Sequence, residues 1–409
     1  MRTQVAGVMR STSREVAAAT PAVLMVTGAY FPELSGGGLQ ARAVVRALAA
    51  EARFTVLTTS IEPSLPARAV EDGVPIYRIH VNPRGVLSRI LATVRFAAAL
   101  VALRRQADVV NLHGFSKKAV LVALFCRLFR KPYVLTLQTG GHDEPATARR
   151  QGRLAAWAYG AADRYLSVSP GLSAAYRAAA LPADRLRQVC NAVDVERFRP
   201  PRFGERDETR VQLGLPRDRC LILFVGYFGR DKRPDWLFEA WCALPPPARS
   251  RSHLVFVGRT DGAHGEVDAR LAPDIRSRAA SLGVDASISF VESTLEIERY
   301  FRACDLYVLP SIREGLPIAL LEAMASGLPC IATAIAGSTD TLLEDRRTGW
   351  LVPADDRPAL TAALEALMAD DEERRRCGAA ARDLIVSKYA IDVTAPLWLA
   401  EYTALARHA

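Results

Sequence analysis

No run of about twenty uninterrupted apolar residues occurs in the 409-residue chain, so no membrane-spanning helix is expected. The longest apolar stretches, Ile90–Leu103 and Ala119–Phe129, are broken by Arg95 and Arg127 and read as buried helices. The seven cysteines (Cys126, Cys190, Cys220, Cys242, Cys304, Cys330, Cys377) form no C-x-x-C pair, and several lie in apolar runs. That pattern argues against a disulfide frame or structural zinc and for a reducing cytoplasm. The first twenty residues carry Arg2, Arg10 and Arg14 without a compact apolar core. A secretory signal is not expected there, and residues 1–20 read as a disordered tail. Low-complexity segments and short internal repeats are also missing. The net charge is +9, dominated by arginine, but no nucleic-acid motif accompanies it. Nucleic acid is therefore not expected as a partner. Anionic substrates, an anionic membrane surface and plain arginine enrichment stay open as sources of the charge.

Half of the residues are apolar, and the length suits two domains better than one core. Short apolar runs alternate with helical patterns. Ala22–Thr27, Phe54–Thr58, Ile76–His80, Val109–His113, Tyr133–Leu137, Tyr165–Val168 and Leu186–Val189 read as buried strands. Gln40–Ala50, Ser88–Arg105 and Gly171–Ala180 read as helices between them. This βαβ repetition predicts a parallel sheet covered on both faces. Arg199-Pro200-Pro201-Arg202 and the polar stretch after it mark a linker. A second series follows at Leu221–Val225, Leu254–Val257, Ile288–Val291, Leu306–Leu309, Cys330–Ala332 and Gly349–Val352. Helices are expected at Arg357–Met368, Asp371–Lys388 and Val393–Arg407. The expected division is a doubly wound α/β domain over 21–200, a second over 201–390, and a final helix over 391–409 returning to the first. Ligands of such folds bind at the carboxyl ends of the strands and between domains.

The most informative segment runs from Pro310 to Pro329. A strand ends at Leu309, Pro317 stands where a helix begins, and Gly327 with Pro329 ends it. Glu314 lies on the loop and Glu322 inside the helix. The helix's free N–H groups and positive end form an anion site suited to a diphosphate. Glu314 and Glu322 in an E-x7-E pattern, followed by Ala-Met-Ala-Ser-Gly-Leu-Pro, closely resemble the retaining "group 1" glycosyltransferases, which have the two-domain GT-B fold.

The resemblance implies that Glu314 sits beside the donor sugar and Glu322 at the ribose, with Gly315, Leu316 and Pro317 against the phosphates. Phe224–Pro234 resembles the family segment in which an Arg and a Lys clamp the diphosphate. Lys232 falls on the lysine, whereas Tyr227 stands at the arginine position. Arg230 is close enough in sequence to substitute, and a guanidinium suits a phosphate. Asn191–Phe198 resembles the family's N-G-V-D-x-x-x-F at the domain crossover, where Asn191 either lines the cleft or makes a turn.

Gly36-Gly37-Gly38 matches the position of the family's glycine-rich loop, so the backbone of Gly37 and Gly38 is expected against the donor. No G-x-G-x-x-G fingerprint is present. His113 ends a strand at the cleft, where the family places a histidine. The further candidates are His142, Asp143 as an acceptor-orienting carboxylate, and Arg259 and Val291 on the loops that hold the base. Glu292 stands where the family often has glycine, which leaves the base open between uracil and guanine.

The resemblance thus implies transfer of a sugar from a UDP- or GDP-sugar, with retention, to a glycan, lipid or small molecule. Catalysis is expected from Glu314, His113 and Lys232. No D-x-D lies where a metal-dependent enzyme would place one, so neither metal nor cofactor is expected. A cytoplasmic location, at the inner membrane face if lipid is involved, follows. A sugar-nucleotide epimerase, a phosphorolytic enzyme and an idle nucleotide-sugar-binding module are the alternatives.

Overall fold

A computed structural model describes residues 20–262 and 266–407. Most of the expected tail at 1–20 lies outside the described residues. Strands β1 (Ala22–Thr27), β2 (Arg53–Ser60), β3 (Arg68–Glu71), β4 (Val74–His80), β5 (Val109–His113), β6 (Tyr133–Leu137), β7 (Arg164–Ser167) and β8 (Leu186–Gln188) form one sheet. Its order is β3-β4-β2-β1-β5-β6-β7-β8. Every neighbour pair is parallel except β3–β4, an edge hairpin closed at Asp72-Gly73, both at positive φ. The Asp-Gly turn was a legible hairpin signal, but β3 carries too little apolar residue to read as a strand.

A second sheet holds β9 (Cys220–Val225), β10 (Ser252–Val257), β11 (Ile288–Val291), β12 (Leu306–Leu309), β13 (Cys330–Thr333) and β14 (Trp350–Val352). It is wholly parallel, in the order β11-β10-β9-β12-β13-β14. In each sheet the strand order reverses beside the first strand, between β1 and β5 and between β9 and β12. At such a point neighbouring crossovers leave to opposite faces and open a crevice. The first crevice is flanked by Gly36–Gly38 and His113, the second by the loops carrying Lys232 and Glu314.

The chain crosses between the domains twice, side by side. Val193 N–H donates to Tyr389 O, and Ile391 N–H donates to Val193 O, each at 2.9 Å. The last helix, Ile391–Ala406, then packs on helix Gly36–Ala47 and buries Trp398 and Tyr402 in the first domain.

One expectation fails. The apolar stretch around Ile90–Leu103 is helix Val86–Leu103, and only Ala92, Phe96, Leu100 and Leu103 are buried. It is also long and apolar enough by composition to cross a membrane. The arginine at position 95 does not break it, because it falls on a flank. Helix Ala119–Phe129 buries one side and leaves Leu124 and Leu128 exposed.

Candidate active site

Two helix N-termini face each other across the cleft. Ser35 caps helix Gly36–Ala47, its Oγ accepting from Gly38 N at 3.1 Å. Gly36–Gly38 are therefore the first turn of this helix, not a loop ahead of Gln40 as expected. A Cβ on Gly38 would lie 2.5 Å from Ala29 O, so only glycine fits. Helix Ile318–Ala325 starts opposite, with Pro317 as its cap rather than its first residue. A Cβ on Gly36 would touch Ile318 Cδ1 at 3.9 Å, and one on Gly37 would touch His113 Cδ2 at 3.9 Å. Free amides and the positive ends of two helices thus converge on one space, which favours an anion there.

Lys232, from the loop after β9, meets Glu314, from the loop after β12. Nζ lies 2.6 Å from Oε1, and the side chains are 18 % and 8 % exposed. The Tyr227 ring centroid is 5.4 Å from the same Nζ. Tyr227 donates its hydroxyl to Asp231 Oδ2 at 2.7 Å, and Arg313 Nη2 donates to that oxygen at 3.0 Å. The guanidinium tied to this network is therefore that of Arg313. Arg230, expected as the substitute, is turned by the tight Gly229–Lys232 bend to the rim, where it is mostly exposed and pairs with Asp268 at 2.8 Å.

Glu322 is half-buried on the helix. Burial pushes its carboxyl up to about 8, with Arg197 opposing and Glu298 adding to the rise. Among the described residues nothing donates a hydrogen bond to it. Arg197 is engaged with Glu298 at 2.7 Å.

The loops of the two domains touch backbone to backbone. A Cβ on Gly315 would fall 1.7 Å from Gln138 O, and one on Gly140 2.6 Å from Glu314 O. Asn191 is buried and donates from Nδ2 to Leu316 O at 2.9 Å, which holds the Glu314 loop to the crossover. A second approach joins Gly171 N to Gly337 O at 2.9 Å. Neither contact was foreseen, since close approach of two backbones leaves only isolated glycines as a trace.

His113 is buried against Trp398, with ring centroids 5.9 Å apart, and its Nε2 lies 2.9 Å from Gln138 Nε2. Burial drives its imidazole down to about 3, so it stays neutral at physiological pH. Asn111, two residues earlier, donates to Tyr402 Oη at 2.7 Å and accepts from Thr136 Oγ1 at 2.9 Å. Asp143 corrects another expectation. Oδ1 accepts from Phe115 N at 3.0 Å and pairs with His142 Nδ1 at 2.8 Å, while Oδ2 accepts from Gln138 N at 2.7 Å and Thr139 N at 3.0 Å. No lone pair is left to orient an acceptor hydroxyl. The bond to Asp143 holds the His142 imidazole above the usual range, and its next charged neighbours, Glu266 and Arg313, belong to the second domain.

Arg259 lies 3.6 Å from Asp261, and Val291 O accepts from Gly258 N at 3.0 Å, at the ends of β10 and β11. Glu292 Oε1 accepts from Thr260 Oγ1 at 2.6 Å. Lys118 reads in the sequence as a basic flank of Ala119–Phe129, but the structure turns it inward. Its Nζ donates to Thr27 O and Thr59 Oγ1 at 3.1 and 2.8 Å, and burial lowers the amine to about 8.

Two doubly wound sheets facing a cleft, with the Lys232–Glu314 pair at the second switch point, define the GT-B class of two-domain transferases. The "Glycosyl transferases group 1" profile matches residues 205–384, and the "Glycosyl transferase 4-like domain" profile residues 35–192. The D-inositol 3-phosphate glycosyltransferase 1 of Catenulispora acidiphila is 31 % identical over 344 residues, 78 % of each chain. The D-inositol 3-phosphate glycosyltransferase of Stackebrandtia nassauensis is 34 % identical over 205 residues, 49 % of this chain and 44 % of that one. Anabaena HepE, solved with UDP and glucose, superposes with a TM-score of 0.76 at 19 % identity, covering 94 % of this chain and 99 % of that one. The chain belongs to the group 1 glycosyltransferase family.

Proposed function

We propose that this chain is a retaining hexosyltransferase that moves a sugar from a UDP- or GDP-sugar to a glycan, lipid or small-molecule hydroxyl. The observation that carries this reading is the Lys232–Glu314 pair, set where two helix N-termini converge. Breaking the sugar–phosphate bond places negative charge on the departing diphosphate. Lys232 and the two helix ends supply positive potential in a site shielded from water, where it counts most. A metal is then unnecessary, and turnover survives a chelator. Glu314 stands on the sugar side of the same lysine, and Glu322 offers an unpaired carboxyl to the ribose hydroxyls. His113, neutral and buried, contacts the sugar without exchanging a proton. His142, steered by buried Asp143, faces the second domain and meets the donor or acceptor as the cleft closes.

Two named likenesses guide the choice of ligands. HepE was solved with UDP and glucose, which supports trying UDP-glucose first. Relatives named for D-inositol 3-phosphate support a phosphorylated polyol among the acceptors. The reaction is placed in the cytoplasm, where sugar nucleotides are made. Tyr227 at the arginine position favours a second reading, a module that binds nucleotide-sugar without turnover.

A thermal-shift panel of UDP, GDP, ADP and their sugar conjugates tests the reading, since a ligand of the folded state raises the midpoint. The expected result is a rise with one nucleotide that is lost in Glu322→Ala and Lys232→Ala. Acceptor-dependent release of the nucleoside diphosphate then separates transfer from epimerisation and from idle binding. No shift with any nucleotide overturns the donor site.

A further inference from the structure

Helix Val86–Leu103 carries two apolar stripes. The inner one, Ala92, Phe96, Leu100 and Leu103, is packed on the sheet. The outer one consists of Val86, Leu87, Ile90, Leu91, Val94 and Val101, each between 43 and 69 % exposed. Val94 lies about 200° around the helix from Phe96, so the stripes are opposite. Ala97, Ala98 and Ala102 complete the outer face, which holds no polar residue. An apolar face of this extent, left uncovered by the described residues, marks a contact surface.

Its charge surroundings say what fits. Arg84 precedes the helix, Arg104 and Arg105 follow it, Arg95 stands on its flank, and exposed Arg89 lies one turn before Ala92 on the inner line. Residues 73–142 contain eleven Lys and Arg but one carboxylate, Asp108, and all eleven except Arg78 and Lys118, whose side chains turn inward, are left to the surface. Asp108 is engaged with the Ala22 amide at 3.0 Å. The neighbouring helix Ala119–Phe129, in contact with the first, adds exposed Leu124 and Leu128 next to exposed Arg127 and Arg130.

We infer that these two helices seat the first domain on an anionic lipid bilayer, with the outer stripe in the acyl boundary and the arginines at the phosphates. Arginine fits this position because its stem follows the apolar surface while its head reaches the headgroups. The helix does not span, because its inner stripe is committed to the sheet. A second copy of the chain fits poorly. A two-fold contact through this face would bring Arg84 of one copy towards Arg104 and Arg105 of the other with no carboxylate between them. The inference does not rest on the donor reading.

Co-sedimentation of the full chain with vesicles tests it. Binding is expected to phosphatidylcholine vesicles containing phosphatidylglycerol, weaker in high salt, and not to phosphatidylcholine alone. The triple variant Leu87→Glu, Ile90→Glu, Val94→Glu is expected to lose binding by about tenfold or more while keeping its Tm, since all three side chains are outside the core. Arg84→Glu with Arg105→Glu is expected to weaken binding and flatten its salt dependence. Wild-type protein that stays in the supernatant, or a triple variant that binds as wild type does, overturns the inference. A concentration-dependent dimer abolished by the triple variant overturns it too, in favour of a protein–protein face.

Discussion

At the cleft edge of the first sheet Asp143 and Asn111 are held by partners from within the protein, whereas at the edge of the second the Glu322 carboxyl is left open. Asp143 takes four donors, Asn111 is locked between Tyr402 and Thr136, and His113 is neutral and walled by Trp398. Across the cleft, no donor among the described residues reaches Glu322, and Lys232 pairs with Glu314 beneath the Tyr227 ring. Both sheets reverse strand order in the same way, so topology does not make the difference. It lies in the charge of the ligand each edge is proposed to meet. A diphosphate donor calls for compensating charge, and a reacting acceptor hydroxyl calls mainly for a rigid wall around it.

That contrast is broken or sharpened by substitution. The largest effect is expected from Asp143→Ala, which strands three backbone amides and His142 and should cost about 3 kcal/mol or more of stability. Urea unfolding reads it, and a loss below about 1 kcal/mol would mean that the first edge is not self-supporting. Glu314→Gln should do the reverse, lowering kcat/KM by about a hundredfold while costing less stability than Asp143→Ala, because the amide oxygen still accepts from Lys232.

Glu322→Gln separates ligand demand from stability through pH. The folded carboxyl titrates near 8, above its ordinary range, so stability present at acidic pH is lost as pH rises from that range through about 8. The variant lacks this loss. Its Tm relative to wild type should climb between weakly acidic and weakly alkaline buffer, while its nucleotide affinity falls. If nucleotide binding brings ribose hydroxyls to Glu322, the ionised form is favoured and a proton is released near neutrality. Calorimetry in buffers of different ionisation enthalpy detects it.

Gly337→Ala should be milder. Gly337 has a φ of +70°, and a Cβ there would lie 2.4 Å from Gly171 N. An expected penalty of about 1–2 kcal/mol falls on the closed arrangement and should appear in KM. Arg230→Ala, at the rim, is expected to change kcat/KM by about twofold or less. A much larger loss would return Arg230 to the phosphate site.

Much of this was legible beforehand where it is local. Strands β1, β5, β6, β11 and β12 begin and end at the residues expected from their apolar runs. Helix Asp371–Lys388 was equally plain, with acidic residues in its first turn. The segment from Pro310 to Pro329 announced both its family and its helix. The inward pairing of Lys232 with Glu314, 82 residues apart, fits the roles the resemblance implied, but the Tyr227–Asp231–Arg313 network did not show. Its members come from two loops whose approach has no local signature. Asp143 looked like an available carboxylate for the same reason, since its partners arrive from Phe115, Gln138 and Thr139.

By itself, then, the sequence determined which stretches are strand or helix, the order that makes two doubly wound sheets, and the family motifs at the ends of their strands. Those properties depend on periodicity, caps and breakers within about ten residues of one another. The tertiary structure alone decided which carboxylates are occupied and which are free, which arginine joins the Tyr227 network, and which stripe of helix Val86–Leu103 is left bare. Each of these depends on what a distant segment brings alongside, and burial and hydrogen-bond partnership exist only once the chain has closed on itself.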